Sequence, residues 1–341
     1  MDFRHFTAGK DDDGRRLDRI ARKFLDGSAL SSVYKFLRKG LIKVNGKKRS
    51  AEFKVSENDD IEIAKILCQN GGGEEKQENE GKSGRLDGGI IIKRSGDILI
   101  LNKPYDIPVQ PSKDFKGRTL SELVEEDFRA KGGSKSISFR TGPLHRLDRK
   151  TTGLIVFSQS LEGARIFTEL MKEHRIKKTY IGIMEGRFEK EEEWTDRIEK
   201  SGSQDGRSSF HKVSVSESGN GRGKLSKTRA IPVFHGRLGQ EEATVAAFVI
   251  ETGRTHQIRA QSKAHGHPLL GDTAYGAKKI SGCGRDFFLH AYSIEFSSED
   301  SDKLEKIGLE PKTTAKIPDD FKSMLEKIGL KENIENFLKI Q

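Results

Sequence analysis

Apolar and polar residues in the first part of the chain alternate with the period of short amphipathic helices. A first helix is predicted from Arg16 onward by an apolar stripe of Leu17, Ile20, Ala21, Phe24 and Leu25. A second stripe of Val33, Phe36 and Leu37 predicts another helix, with Ser31 suited to cap its start. Gly40 fits the position just after its last turn.

Strand-like patterns follow these two helices. Residues 41–44 are mostly apolar and precede an Asn45-Gly46 pair, which predicts a tight hairpin because both residues tolerate a positive φ. Residues 60–63 alternate acidic and apolar side chains and predict another short strand. The pattern therefore predicts a compact unit with a small core at residues 15–64.

The next apolar segments begin only after a polar stretch. Residues 69–89 are rich in Gly, Glu, Lys and Asn, which predicts a flexible linker. Beyond it, buried strands are predicted at residues 90–92, 98–101, 154–157, 180–184, 243–252 and 287–296, with a helix capped by Ser160. Many strands and few helices indicate an α+β domain with a mixed, mostly antiparallel sheet.

These composition changes divide the chain into four parts. We expect an N-terminal module at residues 1–67, a linker at 68–88, a catalytic domain at 89–300 and a charged C-terminal tail at 301–341. Residues 201–225 are rich in Gly and Ser and predict a surface insertion.

The charge of the chain points to a polyanionic partner. Its formal net charge is +10, and positive side chains crowd the N-terminal helices and hairpin. The candidate RNA-binding residues there are Arg16, Arg19, Lys35, Arg38, Lys39, Lys43, Lys47 and Lys48. The alternative is a solvated face that serves solubility, but this does not explain why the charges also crowd the hairpin.

Other features of composition concern the setting of the protein. No stretch has the apolar length that a membrane span needs, and the first fourteen residues have no apolar run typical of a secretory signal. Cys68 and Cys283 are far apart, and neither belongs to a Cys-x-x-Cys pair. A reducing, cytoplasmic setting is the expectation.

Two segments concentrate polar residues next to buried strands. Asp148 lies among three cations within residues 142–153, and nearby positive charge favours an ionised carboxylate, available as a nucleophile. A structural ion pair is the alternative reading of this charge pattern. Residues 251–261 hold two arginines, a His and a Gln, a set that is costly to bury without an anion or a facing carboxylate.

The residues of these segments carry two resemblances. Residues 35–49, with the core Lys-Gly-Leu-Ile-Lys-Val-Asn-Gly-Lys, resemble the S4 RNA-binding domain. The stretch His145-Arg146-Leu147-Asp148 with Thr151-Thr152-Gly153 resembles the central motif of the RluA-type pseudouridine synthases. Further stretches similar to that family, in its order, are Asn102-Lys103-Pro104, Lys178-x-Tyr180 with Gly186, residues 253–259, residues 267–272 and Leu289-His290-Ala291.

The second resemblance implies roles for individual residues. Asp148 matches the catalytic aspartate, and Tyr180 matches a tyrosine that stacks on the target base and has been proposed to move a proton. Arg259 matches the basic residue that pairs with the aspartate, and Arg146 an arginine that helps to displace the target nucleotide. Gln261 stands where His is frequent, a departure expected to alter the support of Arg259.

The expected function is isomerisation of specific uridines to pseudouridine in structured RNA, most simply large-subunit ribosomal RNA. Transfer RNA as target and a non-catalytic S4-type RNA-binding factor are the alternatives, and RNA strand cleavage would need a metal-carboxylate cluster or paired histidines. The reaction includes no redox step or hydrolysis, so no cofactor or metal is expected, and His265 with His267 makes only a weak metal pattern. A monomer without an obligate protein partner and without membrane attachment is expected.

Overall fold

The structure is a computed structural model that describes residues 2–25, 29–68, 86–112, 115–133, 136–200, 213–217, 223–332, 334 and 336. Two compact units are present. The first unit comprises Met1–Leu86, Leu123–Gly142 and Ser158–Arg165, and the second comprises Asp87–Glu122, Pro143–Phe157 and Ile166–Gln341. The predicted linker lies outside the described residues from position 69 to position 85.

The first unit has a small sheet covered by helices. Its strands are β1 (Phe3–Thr7), β2 (Ile42–Val44) and β3 (Asp60–Ala64), joined antiparallel in the order β1-β3-β2. Its N-terminal helices are α1 (Leu17–Phe24), α2 (Leu30–Lys39) and the single turn α3 (Lys65–Cys68), with a 3-10 turn at Lys10–Asp12. The apolar stripes of α1 and α2 meet the inner face of the sheet and form one core.

The local predictions for this unit mostly hold. Gly40 follows α2 with a left-handed φ of 67°, and the Asn45-Gly46 turn has φ values of 51° and 73°. The helix α2 starts two residues earlier than predicted, because Ala29 is the extended N-cap and Ser31 lies inside the helix. Strand β1 has no clear alternation of buried and exposed positions, which is why the pattern did not predict it.

Asp12 links the N-terminal residues to a later segment of the first unit. Its buried carboxylate accepts hydrogen bonds from the backbone nitrogens of Gly9 (3.0 Å) and Ile137 (2.8 Å) and from the hydroxyl of Ser136 (2.8 Å). Arg15 adds a bond to the hydroxyl of Ser138 (2.7 Å). Residues 136–138 therefore belong to the same hydrogen-bonded unit as the N-terminal module, although the sequence places them in the catalytic domain.

The second unit is built on a sheet that has eleven strands among the described residues. The strands are β4 (Ile91–Arg94), β5 (Ile98–Lys103), β6 (Gly142–Pro143), β7 (Thr152–Ser158), β8 (Ile176–Glu185), β9 (Glu192–Lys200), β10 (Val213–Glu217), β11 (Lys224–Leu238), β12 (Glu241–Ile250), β13 (Leu289–Phe296) and β14 (Lys312–Thr314). Their order is β10-β9-β11-β12-β8-β13-β7-β5-β4, with β14 beside β13 and β6 beside β7. The pair β13–β7 is parallel and the central neighbours are antiparallel, which confirms the predicted α+β class with a mixed sheet.

Five further helices are present among the described residues. They are α4 (Leu120–Ala130), α5 (Leu161–Lys172), α6 (Gln257–Ala264), α7 (Ser301–Lys306) and α8 (Asp319–Lys327). The predicted insertion lies outside the described residues at 201–212 and 218–222, whereas Val213–Glu217 form the edge strand β10.

The expectation of a charged tail at residues 301–341 needs correction. The apolar residues of the described part, up to residue 334, are buried in the core of the second unit. Strand β14 pairs with β13, and Phe321, Leu325 and Ile328 are buried against Ile183 and Phe288. The charged residues that dominate the segment lie on its outer face, so its apolar positions complete the core from one side.

Candidate active site

Three segments of the second unit meet at an open cleft. The loop between β6 and β7 contributes Arg146, Asp148 and Thr151, and strand β8 contributes Tyr180. The segment from Gly253 to Arg259, which connects β12 to α6, completes the lining. The structure thus brings together the two polar segments that the sequence singled out and the Lys178-x-Tyr180 stretch of the resemblance.

Close packing of two strands fixes the end of the loop that carries Asp148. Gly153 pairs with Ala291 of β13 and has a φ of 108°, and a Cβ at Gly153 would overlap the carbonyl oxygen of Ala291. Beside it, the Thr152 hydroxyl is 2.9 Å from Nδ1 of the buried His290. Glycine is therefore required where the catalytic loop enters the sheet.

Lys103 also binds the loop that carries Asp148. Its fully buried ammonium donates to the carbonyl oxygens of Pro104 (3.0 Å), Ile107 (2.8 Å) and Arg149 (2.7 Å). Burial lowers the pKa of Lys103 to about 7, against the opposing charge of Asp148. Because the three carbonyls accept all three ammonium protons, Lys103 carries its positive charge in the folded protein.

Asp148 itself stands at the mouth of the cleft with about a fifth of its side chain exposed. Its Oδ2 atom is 4.0 Å from Nη1 of Arg259 and 3.9 Å from Nε2 of His256. Both distances exceed those of direct hydrogen bonds. The carboxylate is thus surrounded by cationic and polar groups while one side stays open to an incoming substrate.

Arg259 has a closer partner than Asp148. Its Nε and Nη2 atoms donate to the two carboxylate oxygens of Asp272 at 2.7 and 2.8 Å, and both side chains are buried. The guanidinium also lies over the rings of Phe287 (4.3 Å) and Tyr275 (4.9 Å). Burial acts to lower the pKa of Arg259, but the Asp272 hydrogen bond and charge outweigh it and raise that pKa.

The expected pairing of Arg259 with Asp148 is therefore only the looser of two carboxylate contacts. One guanidinium lies between two carboxylates, with Asp272 on its Nε edge and Asp148 near Nη1. Sequence reasoning quoted Asp272 within residues 267–272 but assigned it no role. Asp272 follows Gly271 and two leucines in the sequence, and this local pattern does not indicate that its partner is Arg259, thirteen residues earlier.

Tyr180 projects from β8 into the cleft and is 8% exposed. Burial, together with the charge of Asp148, raises the pKa of its phenol well above the usual value. Tyr180 is therefore a neutral phenol at any physiological pH, and its ring lines the same cleft as Asp148.

His256 is the second cleft residue to which sequence reasoning assigned no role. It precedes α6 with a left-handed φ of 53°, and its Nδ1 is 2.9 Å from the hydroxyl of Tyr275. That hydroxyl accepts a hydrogen bond from the backbone nitrogen of Val213 at 3.3 Å. Burial lowers the pKa of His256, although the charge of Asp148 opposes the shift.

Other predicted residues lie around or away from the cleft. Arg146 is exposed and lines the cleft. The amide nitrogen of Gln261 donates to Asp196 (2.6 Å), and its oxygen accepts from Thr228 (2.7 Å). The expected effect of this glutamine on the support of Arg259 stays a prediction, while Asp272 bonds Arg259 directly.

The two histidines of the weak metal pattern have other partners. His265 is 3.2 Å from Asp196 and stacks on Trp194, and His267 is 3.2 Å from the carbonyl of Glu185. Among the residues that the structure describes, no group of three or more His, Cys, Asp or Glu is arranged to hold a metal ion.

Most candidate RNA-binding residues of the first unit are exposed. Those with solvent-exposed side chains are Arg19, Lys35, Arg38, Lys39, Lys47 and Lys48. Arg16 is engaged by Asp18 through Nε (3.2 Å) and Nη2 (2.7 Å), and Lys43 lies over the ring of Phe3 at 4.4 Å. The last two are thus less available to a ligand than sequence alone suggested.

None of the helices in the described part of the chain has the length and apolar character needed to cross a membrane.

Comparison with known proteins identifies what this architecture is similar to. Residues 97–264 match the family model described as RNA pseudouridylate synthase. The chain is 28% identical over 332 residues to the ribosomal large subunit pseudouridine synthase C of Escherichia coli O157:H7, covering 93% of this chain and 94% of that protein. Its namesake from Haemophilus influenzae is 28% identical over 334 residues, covering 94% of both proteins.

A solved structure shares the fold. Human RNA pseudouridylate synthase domain containing 4 superposes with a TM-score of 0.52 at 19% identity, covering 70% of this chain and 92% of that one.

Proposed function

We propose that the chain, of which residues 97–264 match the RNA pseudouridylate synthase family model, isomerises specific uridines of large-subunit ribosomal RNA. The observation that carries the proposal is the cleft in which the Asp148 carboxylate lies beside Arg259 and the Tyr180 ring. Two relatives that align over nearly the whole chain are named ribosomal large subunit pseudouridine synthase C, and these names support ribosomal RNA as the substrate.

The chemistry requires one bond to break and another to form at the same sugar carbon. The N1–C1′ bond of uridine breaks, the uracil rotates, and C5 bonds to C1′. The nucleotide must first leave its stack, at a cost of a few kcal/mol. The half-open Asp148 carboxylate is placed to attack C1′ or to stabilise positive charge that develops there, and both routes are compatible with the site.

The neighbouring residues take distinct roles in this proposal. Asp272 holds Arg259 in place, and the Nη1 atom of Arg259 then orients the Asp148 carboxylate. The face of Tyr180 replaces base stacking, which is worth roughly 1–3 kcal/mol. Arg146, exposed at the cleft, contacts the backbone of the flipped nucleotide and helps to displace it from its stack.

The first unit supplies affinity for folded RNA in this scheme. We propose that it contains an S4-like module at residues 1–67 whose exposed Lys and Arg side chains contact phosphates. Arg16 and Lys43 would contribute less than the other six candidates because of their internal contacts. The protein would act in the cytoplasm as a monomer and without an obligate protein partner.

The substitution Asp148→Asn tests the catalytic assignment. We expect loss of tritium release from RNA labelled at uridine C5, with RNA affinity within a few-fold of wild type, because phosphate contacts supply most of the affinity. Asp106→Asn is the matched control, since Asp106 pairs with Arg149 of the same loop but does not line the cleft. Turnover by Asp148→Asn at the wild-type rate would end the assignment.

Mapping of modified positions tests the substrate. Ribosomal RNA from a strain that lacks the gene should lose pseudouridine at defined uridines, and the wild-type gene but not the Asp148→Asn gene should restore it. Loss of pseudouridine from transfer RNA alone would contradict the ribosomal target while leaving the reaction intact.

A further inference from the structure

The isomerisation has a proton balance that the roles proposed so far leave open. Once C5 has bonded to C1′, it is tetrahedral and still carries its hydrogen, while C6 is doubly bonded to N1. To reach the product, the C5–H bond must break and N1 must gain a proton. A base is therefore needed near C5, which by then is one bond away from the carbon that Asp148 faces.

Few of the residues around the cleft can act as that base. The guanidiniums of Arg146, Arg254 and Arg259 hold their protons throughout the physiological range. Tyr180 is fixed as a phenol by its raised pKa, so it has no basic oxygen to offer at neutral pH. Asp148 is released as a free carboxylate once C5 has taken its place at C1′, but a carboxylate is a weaker base than an imidazole at neutral pH.

Among the cleft residues that the structure describes, His256 is the one imidazole. Its Nε2 atom is 3.9 Å from Oδ2 of Asp148, so a uracil ring bonded through C5 to the carbon that Asp148 faces comes close to this nitrogen. Resting on the function proposed above, we propose that His256 is a catalytic residue whose Nε2 takes the proton from C5 of the rearranged base.

The surroundings of His256 prepare it for this role. When Nδ1 carries the ring proton, it donates to the Tyr275 hydroxyl at 2.9 Å, and Nε2 then carries the lone pair. The charged groups that act on the ring are Asp148, Arg259, Asp272 and Arg146. Burial, together with the two arginines, lowers the pKa of His256 by more than the two aspartates raise it. The imidazole is therefore neutral, which is the form that a base requires.

The step balances without any further reactant. The C5–H bond breaks and its proton moves to Nε2, which makes an imidazolium. The electron pair of that bond becomes the C5=C6 double bond, and the former N1=C6 π pair moves to N1, which takes a proton from water or from the imidazolium. Exchange of the imidazolium proton with water releases the C5 hydrogen to solvent, as the tritium assay measures.

The substitution His256→Asn tests the proposal without disturbing the backbone, because asparagine tolerates the left-handed φ of 53°. The substrate is ribosomal RNA carrying either hydrogen or deuterium at uridine C5. We expect turnover at saturating RNA to fall about 100-fold or more, the low end for loss of a general base. We also expect a primary isotope effect larger than that of wild type, because C5–H cleavage becomes rate-limiting.

Two further variants complete the experiment. His267→Asn replaces a histidine that bonds a backbone carbonyl outside the cleft, and should retain the wild-type rate and isotope effect. Tyr275→Phe removes the partner of Nδ1 but keeps the imidazole, and should give a smaller loss in rate with the same growth in isotope effect.

Two results would overturn the role of His256. One is a wild-type rate for His256→Asn. The other is a slower rate with an unchanged isotope effect, which indicates a structural defect because such a defect slows every step. If wild type makes pseudouridine but His256→Asn behaves in either way, only this inference fails. If wild type makes none, the proposed function fails first.

Discussion

At the scale of single residues, the cleft is organised around a guanidinium shared by two carboxylates. Asp272 holds Arg259 through two short hydrogen bonds, whereas Asp148 is 4.0 Å away. Because Asp272 already balances the charge of Arg259, the Asp148 carboxylate is not tied up in a tight ion pair. A carboxylate that is oriented but loosely paired suits a group that must interact with the sugar during the reaction.

We predict that Asp272→Asn lowers the turnover of RNA at saturation by about tenfold or more, because the neutral amide no longer fixes Arg259 beside Asp148. The affinity for RNA should change little, since Asp272 is buried and away from any phosphate. Breaking a buried pair also costs stability, on the order of 3–5 kcal/mol. Turnover therefore has to be measured on the folded protein below its melting transition.

The control for this prediction is Asp196→Asn. Asp196 is another buried aspartate of the second unit, but its partners are Gln261 and His265. It should lose stability while the folded enzyme keeps its turnover. If both variants lose stability but neither loses turnover, Asp272 is a structural residue only.

The sequence allowed part of this site to be predicted. Asp148, Tyr180 and Arg259 were assigned by resemblance, and the structure brings all three to one cleft. The roles of Asp272 and His256 depend on contacts made only after folding, with Arg259 and with Tyr275. No local pattern signals such a contact, because an aspartate after glycine or a histidine before a helix is common in loops.

At the scale of elements, the C-terminal segment departs most from expectation. Its many charged residues make it polar on average, and its apolar residues occur in short runs that resemble isolated amphipathic turns. Their burial becomes evident only when β14 pairs with β13 and α8 packs over the sheet. By contrast, α1, α2 and the Asn45-Gly46 turn were predictable, since helical period and turn chemistry are local properties.

We predict that Phe321→Ala destabilises the protein by about 3–5 kcal/mol, the usual cost of removing a buried aromatic ring. Phe321 is fully buried and meets Phe288 edge to face, with ring centroids 5.4 Å apart. Leu30→Ala is the control, because Leu30 is exposed on α2 and should change stability by well under about 1 kcal/mol. Urea unfolding of both variants gives the comparison, and equal stabilities would show that residues beyond 300 are not part of the core.

At the scale of the whole molecule, RNA binding and catalysis cannot be separated by simple truncation. Asp12 accepts hydrogen bonds from residues 136–138, which immediately precede the loop of Asp148 in the chain. Removing residues 1–67 would therefore leave those donors without their acceptor. Activity lost on truncation would report on this damage as much as on lost affinity, so the RNA-binding role needs substitutions that leave the fold intact.

The substitution set Lys35→Gln, Arg38→Gln and Lys39→Gln meets this need, because all three side chains are exposed on α2. If each contacts a phosphate, the slope of log K against log salt should become shallower by about 2–3, since each contact contributes roughly 0.7–0.9. Turnover at saturating RNA should stay unchanged, because these residues belong to the first unit and none of them lines the cleft of the second. Filter binding at several salt concentrations, together with tritium release, measures both quantities.

A matched set of substitutions separates contact from overall charge. Lys131→Gln, Lys278→Gln and Lys303→Gln also lower the formal net charge from +10 to +7, but these lysines pair with Asp127, Glu241 and Glu169. If α2 binds phosphates directly, the control set should keep the wild-type salt slope, because paired surface lysines release few counterions. Equal salt slopes for the two sets would mean that α2 makes no specific phosphate contacts and that RNA affinity depends only on the total charge of the protein.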